Sequence, residues 1–572
     1  MKRLSSFLMV TAAACAFTTS AYADGHEGKR GRDGEVKIIY WQAPSILNPF
    51  LSGGTKDVES ASMIVEPLAR YNEKGELVPW LVDSVPTVEN GGVAADLTSI
   101  TWKITEGIKW SDGTPLTSED VKFTYDYCTA PEGGCAQVTK FGAVASIDTP
   151  DAQTVVINFK EPTPNPYGPF TGGESPILQK AQFQDCMGAK APECTEQNFA
   201  PIGTGPFVVT SFKPNDVITM KANENYRVEG KPAFASVTFK GGGDAAAAGR
   251  AVMETGEFDY GWNLQLAPDV IAEMEKGGKG VPVAGFGPLV ERIMLNNTNP
   301  DPALGPDERS VIRPHPFLGN PAVYKALSMA IDRPLLVEVG YGKAGKVGCN
   351  WVPAPEAFAS TSMKCDVQDL EGAKKLLEDA GFKDSDGDGV RETPEGKPMN
   401  ILYQTSTNAV RQDFQALIKQ WWEEIGLKVE LRNLSGSVFF GGDPGSPDTF
   451  QKFYADVEMY ANTFNGTDPQ SYLGNGLCDK APSPKTQWQG ENISRFCMPE
   501  YDALHAELTK TAGIEKRAEI AKKLNDMIVQ NGGMIPLVHR GRLSAHANTL
   551  GGVVLNVWDS ELWNVADWYR KK

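Results

Sequence analysis

The feature that most constrains the fold of this chain is a segment at residues 108–127, which carries strong signals for a strand end, a tight turn and a helix start. Residues 111–113, Ser-Asp-Gly, form a turn sequence, since aspartate bonds its own backbone and glycine accepts a positive φ. Thr117 then occupies a helix N-cap position, with Asp120 three residues later in an aspartate variant of the capping box. The segment therefore predicts a strand, a turn and a well-capped helix, whose apolar stripe is formed by Val121, Tyr125 and Cys128.

The sequence of this segment, KWSDGTPLTSEDVKFT at residues 109–124, resembles the signature of the family 5 extracellular solute-binding proteins. These are the large dipeptide/oligopeptide-type receptors of ABC importers. Further segments agree in family order, from about residue 36 to about residue 540. They read EPLARY at 66–71, LVPWLVDSVP at 77–86, PIGTGPF at 201–207, NENYRVEGKP at 223–232, GEFD at 256–259 and NPAVYKALSMAIDR at 320–333.

The resemblance implies an α/β chain with a two-lobed type II periplasmic-binding-protein fold and an extra subdomain in the first lobe. The alternation of strand and helix patterns within residues 291–460 favours α/β independently. We expect a signal peptide at 1–23, the first lobe at 24–287 with its subdomain at about 60–195, the second lobe at 288–534, and a return to the first lobe at 535–572.

Local patterns place the main elements along the mature chain. Amphipathic periodicity predicts helices at residues 61–71, 320–333, 370–380 and 409–425, followed by glycine at 381 and 426. Trp421 and Trp422 are expected in the core of the last of these helices. Strands are predicted at 35–41, 100–104, 154–159, 206–212, 291–297, 429–431, 456–460 and 535–539, the last returning to the first lobe.

The N-terminus predicts export. Residues 1–3 are basic at their second and third positions, residues 7–17 are mostly apolar, and residues 21–23, Ala-Tyr-Ala, form a cleavage site before Asp24. The alternative is a lipoprotein acylated at Cys15, although the preceding residues form a poor lipobox. No later run approaches the ~18 unbroken apolar residues of a membrane span. We therefore expect an exported, periplasmic protein.

Eight cysteines remain after Cys15 is removed, an even number in an oxidising compartment. Eight cysteines allow 105 connectivities. Pairing in sequence order is favoured because each neighbouring pair brackets a short polar or Gly/Pro-rich loop. A zinc site is the competing interpretation, but no C-x-x-C occurs and histidine is scarce. The expected bridges are Cys128–Cys135, Cys186–Cys194, Cys349–Cys365 and Cys478–Cys497.

Charge and motif content exclude several function classes. A formal net charge of −17 argues against nucleic acid or an anionic membrane as a partner, because such binding needs a basic face. No G-x-S-x-G, H-E-x-x-H or G-x-x-x-x-G-K-[ST] motif occurs, and the five histidines offer no evident general base. We expect a monomer that is not an enzyme and requires no cofactor. The alternative is a secreted hydrolase that uses scattered carboxylates.

One acidic loop has the spacing of a calcium site. Asp384, Asp386, Asp388 and Glu395 fit D-x-D-x-D-G-x5-E, in which alternating carboxylates converge on one hard cation. Arg391 and the proline at 394 make the motif imperfect. The competing interpretation is a solvated acidic loop whose residues serve turn formation. Any calcium bound here is expected to be structural and outside the ligand cleft.

The resemblance also identifies a position for ligand recognition. Peptide-binding members hold the peptide α-amino group with an aspartate just before a D-P or E-P pair. Here the pair is Asp468-Pro469, and the anchor position falls on Asn465, or on Asn462 if the loop carries an insertion. Both are asparagine, which departs from the peptide pattern. An amine would then need a different carboxylate, and the candidates are Asp456, Glu458 and Asp468.

Five aromatic residues near the expected lobe edges are further ligand-contact candidates: Tyr40, Trp41, Trp262, Tyr460 and Trp488. The alternative for each is packing within a lobe. The complete interpretation is a periplasmic receptor that delivers a small solute or peptide to an inner-membrane ABC permease. The ligand is expected to be a peptide or a peptide-sized polar solute, such as an oligosaccharide, an opine or an amino-acid derivative. A binder of unfolded segments is a third possibility.

Overall fold

A computed structural model describes residues 28–305 and 308–572 of the chain. The predicted signal peptide at 1–23, the cleavage site before Asp24, and Cys15 lie outside these residues. The described chain forms a first α/β lobe, crosses to a second α/β lobe, and returns to the first. Each lobe has its own central sheet and its own apolar core, so the predicted two-lobed α/β architecture is confirmed.

The first lobe is built on a seven-stranded sheet. Its strand Glu35–Tyr40 pairs in parallel with strands on both sides. Because side chains alternate along a strand, Val36 and Ile38 enter one apolar cluster and Ile39 enters another. In sheet order the strands are Gly280–Gly285, Arg542–Ala547, Tyr260–Trp262, Glu35–Tyr40, Ser236–Gly241, Val217–Ala222 and Phe207–Lys213. The helices of this lobe are Thr55–Ala61, Ala245–Met253 and Pro268–Glu275.

The subdomain of the first lobe contains the turn and capped helix predicted at residues 108–127. Gly113 has a φ of +89°, and its N–H donates to the Trp110 carbonyl at 2.9 Å. The Thr117 N–H donates to the Asp120 carboxylate at 2.9 Å, which confirms the capping box. The subdomain strands in sheet order are Ser99–Lys103, Thr154–Phe159 and Val144–Asp151, and its helices are Ser118–Thr129, Lys180–Phe183 and Thr195–Phe199.

The second lobe is built on a six-stranded sheet covered by helices. Trp421 and Trp422 lie in its main apolar cluster, as the sequence predicts. In sheet order the strands are Gly345–Val347, Met534–Arg540, Val290–Leu295, Val457–Asn462, Asn400–Ser406 and Lys428–Leu434. The helices are Pro321–Met329, Arg333–Gly340, Leu370–Asp379, Ala409–Glu424, Gly436–Phe439, Gln470–Leu473, Pro499–Lys510 and Ile514–Gln530.

The predicted return to the first lobe at residue 535 is wrong. Strand Met534–Arg540 pairs antiparallel with Val290–Leu295 and therefore belongs to the second lobe. The chain returns at Gly541, and Arg542–Ala547 is the strand that joins the first sheet. An apolar strand pattern shows that a segment is buried in a sheet, but it does not show which of two sheets takes it.

The predicted helix at residues 61–71 is also wrong. Helix Thr55–Ala61 ends where that helix was expected to begin. The proline at residue 67 lacks the N–H that a helix interior needs. Ala69–Tyr71 is instead a short strand that pairs with Leu77–Pro79. A second short pair, Leu550–Gly551 with Tyr569–Arg570, lies near the C-terminus.

The two lobes are joined where strands of one sheet lead directly into strands of the other. The first crossing lies between Gly285 and Val290, and the second is the single residue Gly541 between two strands. Short crossings of this kind allow rotation with few backbone dihedrals changing. Among the described residues, no helix combines the length and apolar character that a bilayer span requires.

The structure joins the eight described cysteines in sequence order, as Cys128–Cys135, Cys186–Cys194, Cys349–Cys365 and Cys478–Cys497. The last bridge closes the loop that contains Glu491. We expect non-reducing peptide mapping of the exported protein to recover these four cross-linked pairs and no free thiol among the eight cysteines. Recovery of a Cys135–Cys186 peptide would contradict this pairing.

Candidate ligand-binding cleft

Two adjoining cavities lie between the lobes. We call the cavity lined by Glu174 and Glu491 the acidic chamber, and the cavity lined by Arg411 and Arg540 the arginine chamber. Residues of the first lobe form one side of each chamber, with the subdomain contributing to the acidic chamber alone, and residues of the second lobe form the other side. The chambers form one continuous cleft, because both are lined by Gly53, Thr55, Asn462, Thr463 and Arg542.

A buried ion-pair network supports the arginine chamber at the point where the chain crosses between lobes. The Arg411 guanidinium donates to both Glu291 oxygens, at 2.7 and 3.2 Å, and Arg540 Nε lies 3.7 Å from the same carboxylate. Tyr341 and Gln265 also donate to Glu291, at 3.0 and 3.2 Å. Burial opposes ionisation of Glu291, but the two guanidinium groups and the hydrogen bonds outweigh it and hold its pKa below the usual value.

A second buried group lies on the first-lobe side of the cleft. Arg542 Nη1 lies 3.3 Å from Glu59 and 3.8 Å from Glu561. Glu561 also accepts hydrogen bonds from Tyr260 and Ser544, each at 2.6 Å. Burial raises the pKa of Glu59 against the attraction of Arg542, and the neighbouring Glu561 carboxylate adds to the rise. The arginines of this chamber therefore already have carboxylate partners from the protein.

In the acidic chamber, one carboxylate has a cationic partner and another does not. Lys140 pairs with Glu174 at 2.8 Å. Glu491 accepts a hydrogen bond from Asn475 Nδ2 at 3.2 Å, and no cationic side chain lies within ion-pair distance of it in the described part of the chain. Burial raises the pKa of Glu491 to about 8, and the nearby Glu174 carboxylate contributes to the rise. Glu491 is thus a carboxylate of the cleft that the protein does not neutralise.

Several polar atoms of the acidic chamber are buried without a hydrogen-bond partner in the described protein. They are Thr463 Oγ1, Asn465 Nδ2 and Asn475 Oδ1. A buried polar group without a partner costs about 1–3 kcal/mol. These atoms all lie on residues of the second lobe that line the chamber. They are consistent with a site that is completed by a polar ligand.

The two asparagines at the predicted anchor position line the cleft. Asn462 lines both chambers, while Asn465 lines the acidic chamber and packs on Gly172 of the subdomain. Asp468 also lines the acidic chamber, but both of its oxygens accept hydrogen bonds from Arg517, at 2.8 Å. It is therefore already paired within the second lobe.

The other two carboxylates considered for an amine do not line either chamber. Asp456 accepts hydrogen bonds from the Leu402 backbone at 2.6 Å and lies 2.9 Å from His315 Nε2. Glu458 is buried in the second lobe and accepts a bond from Gln404 at 2.8 Å. Along the strand Val457–Asn462, cleft access begins only at Tyr460. Sequence reasoning missed Glu174 and Glu491, because nothing in their local patterns distinguishes them from surface carboxylates.

The five candidate aromatics divide into two groups. Trp262 and Tyr460 line the arginine chamber. The structure does not bring Tyr40, Trp41 and Trp488 into the lining of either chamber. Tyr40 is buried and stacks on Trp262 at 4.5 Å, and Trp41 donates to the Asn263 carbonyl at 2.8 Å. Trp488 packs edge-on against Tyr454 at 5.8 Å within the second lobe.

The calcium-like loop lies apart from the cleft. The fourth carboxylate of its cluster is not the one that the sequence predicts. Asp384, Asp386, Asp388 and Glu392 place carboxylate oxygens within 4.8 Å of one another. Glu395 is exposed and does not belong to this group. Glu392 replaces it because residues 383 and 392 form a β-bridge that brings Glu392 back to the loop. Calcium binding itself stays a prediction.

We expect calcium to raise the melting temperature of chelator-treated protein through this loop. The rise should be lost in Asp386→Ala and Glu392→Ala and kept in Glu395→Ala, because Glu395 lies outside the cluster. Differential scanning calorimetry with and without calcium measures the effect. Equal behaviour of all three variants, or no calcium response in the wild type, would contradict this site.

We expect Glu291→Gln to lower the free energy of unfolding by about 3 kcal/mol at pH 7, since removing one partner of a buried ion pair leaves the others uncompensated. The pKa of Glu291 is lowered in the folded state, so its contribution is present above the ordinary glutamate pKa of about 4.3 and disappears as the pH falls through the folded value. The difference in the free energy of unfolding between wild type and Glu291→Gln should therefore become smaller at acidic pH.

Urea unfolding measures this difference, and Glu430→Gln is the matched control because Glu430 is exposed and lines neither chamber. Equal unfolding free energies for the two variants would show that the network contributes nothing to stability.

Comparisons with known proteins agree with the fold. A family model described as bacterial extracellular solute-binding proteins, family 5 Middle, matches residues 76–482. A putative ABC transporter peptide-binding protein of Brucella ovis is 26% identical over 454 residues, which cover 78% of this chain and 76% of that protein.

Solved structures also resemble the chain. The oligopeptide-binding protein AppA of Bacillus subtilis, in complex with a nonapeptide, matches with a TM-score of 0.80 at 20% identity, covering 95% of this chain and 100% of that one. NikZ of Campylobacter jejuni, in complex with Ni(L-His), matches with a TM-score of 0.78 at 19% identity, covering 94% and 100%. At these identities the likeness concerns the fold.

Proposed function

The chain belongs to the bacterial extracellular solute-binding proteins of family 5, and on that premise we propose that it is the periplasmic receptor of an ABC importer. It captures a peptide or a peptide-sized polar solute between its lobes and delivers it to an inner-membrane permease. Export, a monomeric state and the permease partner are parts of this proposal. A family of binding proteins supports a receptor rather than the secreted hydrolase considered from the sequence.

The observation that carries the proposal is the continuous cleft between the lobes. Its lining comes from both lobes, it is rich in polar side chains, and it contains buried polar atoms that have no hydrogen-bond partner within residues 28–305 and 308–572. A ligand in this cleft would contact both lobes at once and so favour their closed arrangement. No covalent step is needed for this function.

The lobes are in contact outside the chambers, so the structure represents a closed arrangement. The Gly466 N–H of the second lobe donates to the Trp558 carbonyl of the first at 2.7 Å. The Ala43 N–H donates to Ser437 Oγ at 3.1 Å, and Gln487 Nε2 donates to the Glu132 carbonyl at 3.0 Å. These three contacts are hydrogen bonds, and polar contacts of this kind are typical of reversible interfaces between domains.

The ligand class is not fixed by the fold. The two solved structures above share the architecture, yet one is described with a nonapeptide and the other with Ni(L-His). Ligand chemistry must therefore come from the side chains of the cleft. Asn462 and Asn465 stand where peptide-binding members have an aspartate. This departure supports a ligand that is not recognised through a peptide α-amino group at that position.

The proposal is tested by preventing closure through a substitution at a residue that does not itself line either chamber. Gly466 has a φ of +86°, and a Cβ built there meets the Tyr71 ring of the first lobe at 2.5 Å. We expect Gly466→Val to keep the lobes apart. Gly513→Val is the matched control, because Gly513 has a φ of +85° and open space around its Cβ position.

Both variants should show a similar loss of stability from the positive φ. Only Gly466→Val should lose solute that co-purifies with the exported wild-type protein, with retention at least about tenfold lower, because closure buries the ligand. Native mass spectrometry of the intact protein measures retention. Equal retention by both variants would contradict capture by lobe closure, and a wild-type protein that neither retains nor binds any solute would contradict a receptor function.

A further inference from the structure

We propose that the acidic chamber receives a cationic group of the ligand, a protonated amine or a guanidinium, and that Glu491 is the carboxylate that binds it. This inference rests on the proposed receptor function and names the chemistry of its ligand. The cation is recognised from the loop closed by Cys478–Cys497, and not from the asparagine positions to which the family resemblance points.

The charge balance of the chamber carries the first part of the argument. Three of its carboxylates already have cationic partners. Glu174 pairs with Lys140 at 2.8 Å, Asp468 pairs with Arg517 at 2.8 Å, and Glu59 pairs with Arg542 at 3.3 Å. Glu491 has only the Asn475 amide at 3.2 Å among the described residues. An ionised carboxylate shielded from water is costly unless a cation pairs with it. A ligand cation would supply the missing charge.

Two of the three buried polar atoms of the chamber that lack a partner among the described residues can accept a hydrogen bond, and they carry the second part independently. Thr463 is 7% exposed, lines both chambers, and its Oγ1 has no partner in the described protein. Asn475 Oδ1 is likewise a buried acceptor without a donor, on the residue that contacts Glu491. An ammonium group has three donors and no acceptor. The Thr463 hydroxyl, the Asn475 carbonyl and the Glu491 carboxylate offer it three acceptors in one chamber.

The surroundings of Glu491 make its charge sensitive to binding. Burial raises its pKa to about 8, Glu174 reinforces the rise, and Lys140 and Arg292 oppose it. The phenols of Tyr460 and Tyr472 also interact electrostatically with Glu491, and Glu59, Tyr71, Tyr167 and Asp468 are further titratable residues that line the chamber. Near neutral pH the ligand-free carboxyl therefore holds a proton much of the time. A cation binds the ionised form, so binding releases that proton.

The sign of the pH dependence follows from this linkage. Below the ligand-free pKa, affinity for a cation should rise by up to about tenfold per pH unit, and it should level off above that pKa. A neutral ligand that accepts a hydrogen bond from the protonated carboxyl should show the opposite trend. The direction of the change thus distinguishes a cationic ligand from a neutral one at the same residue.

The probes are two matched pairs that differ in one cationic group. The first pair is Nα-acetyl-lysine methylamide and Nα-acetyl-norleucine methylamide, and the second is trialanine and N-acetyl-trialanine. Isothermal titration calorimetry at pH 6, 7 and 8 measures affinity for wild type, Glu491→Gln, Glu491→Asp and the exposed control Glu430→Gln. The lysine probe serves the pH series, because its amine stays protonated over this range.

We expect the cationic member of at least one pair to bind wild type and Glu430→Gln at least about tenfold more tightly than its neutral partner, a ratio that corresponds to about 1.4 kcal/mol. The preference and its rise with pH should disappear in Glu491→Gln and be partly kept in Glu491→Asp. Ligand-free Glu491→Gln should also retain more stability than wild type between pH 5 and 8, since it lacks a carboxyl whose folded-state pKa is raised. That measurement confirms that the variant is folded.

Equal binding of both members of each pair, or a cation preference that survives in Glu491→Gln, would overturn the inference while leaving a solute receptor in place. An affinity for the lysine probe that falls from pH 6 to 8 would show that the protonated carboxyl of Glu491, and not its carboxylate, takes part in binding, and would also overturn it. If neither the probes nor any co-purified solute binds, the proposed receptor function itself is contradicted.

Discussion

The arrangement of the two lobes depends on a buried carboxylate at their junction. Glu291 lies near the start of the first strand after the crossing into the second lobe, and Arg540 lies at the end of the last strand before the return. Arg411 from a second-lobe helix pairs with Glu291, and Gln265 of the first lobe donates to it. One residue thus joins both connecting strands and both lobes. Because removing either charge would leave the other buried and unpaired, the network holds the junction in register while the lobes move around it.

The pairing of charged side chains also explains why the two chambers of the cleft differ in the ligand groups they can bind. In the arginine chamber the guanidinium groups are balanced by Glu291, Glu59 and Glu561, so a ligand need not supply charge there. Its walls also include Trp262 and Tyr460, which suit packing against an apolar or planar part of a ligand. The acidic chamber keeps an uncompensated carboxylate beside buried acceptors. A ligand that fits both chambers would carry a positive group at one end and a less polar body at the other.

Much of the fold could be predicted from local sequence, and the ligand site only in part. The turn at Gly113, the cap at Thr117 and the buried face around Trp422 depend on contacts within a few residues, which periodicity and capping rules capture. The strand pattern at 535–539 predicts the wrong lobe, because strand pairing depends on contacts that are distant in sequence. Asn462 and Asn465 were found through resemblance. Glu491 could not be found, because its importance comes from the nearby Glu174 of the subdomain and from the lack of a cationic side chain at ion-pair distance among the described residues, and both depend on the folded chain.

The most direct test of this account is a crystal structure of the exported protein with the solute that co-purifies with it. The account predicts ligand density between the lobes, in contact with Asn462 and Thr463, with a basic nitrogen about 2.7–3.2 Å from a Glu491 oxygen. It also predicts a closed arrangement with the Glu291 network intact. A ligand bound between the lobes with only neutral or acidic atoms next to Glu491 would contradict the charge assignment, and a ligand bound outside the cleft would contradict the account as a whole.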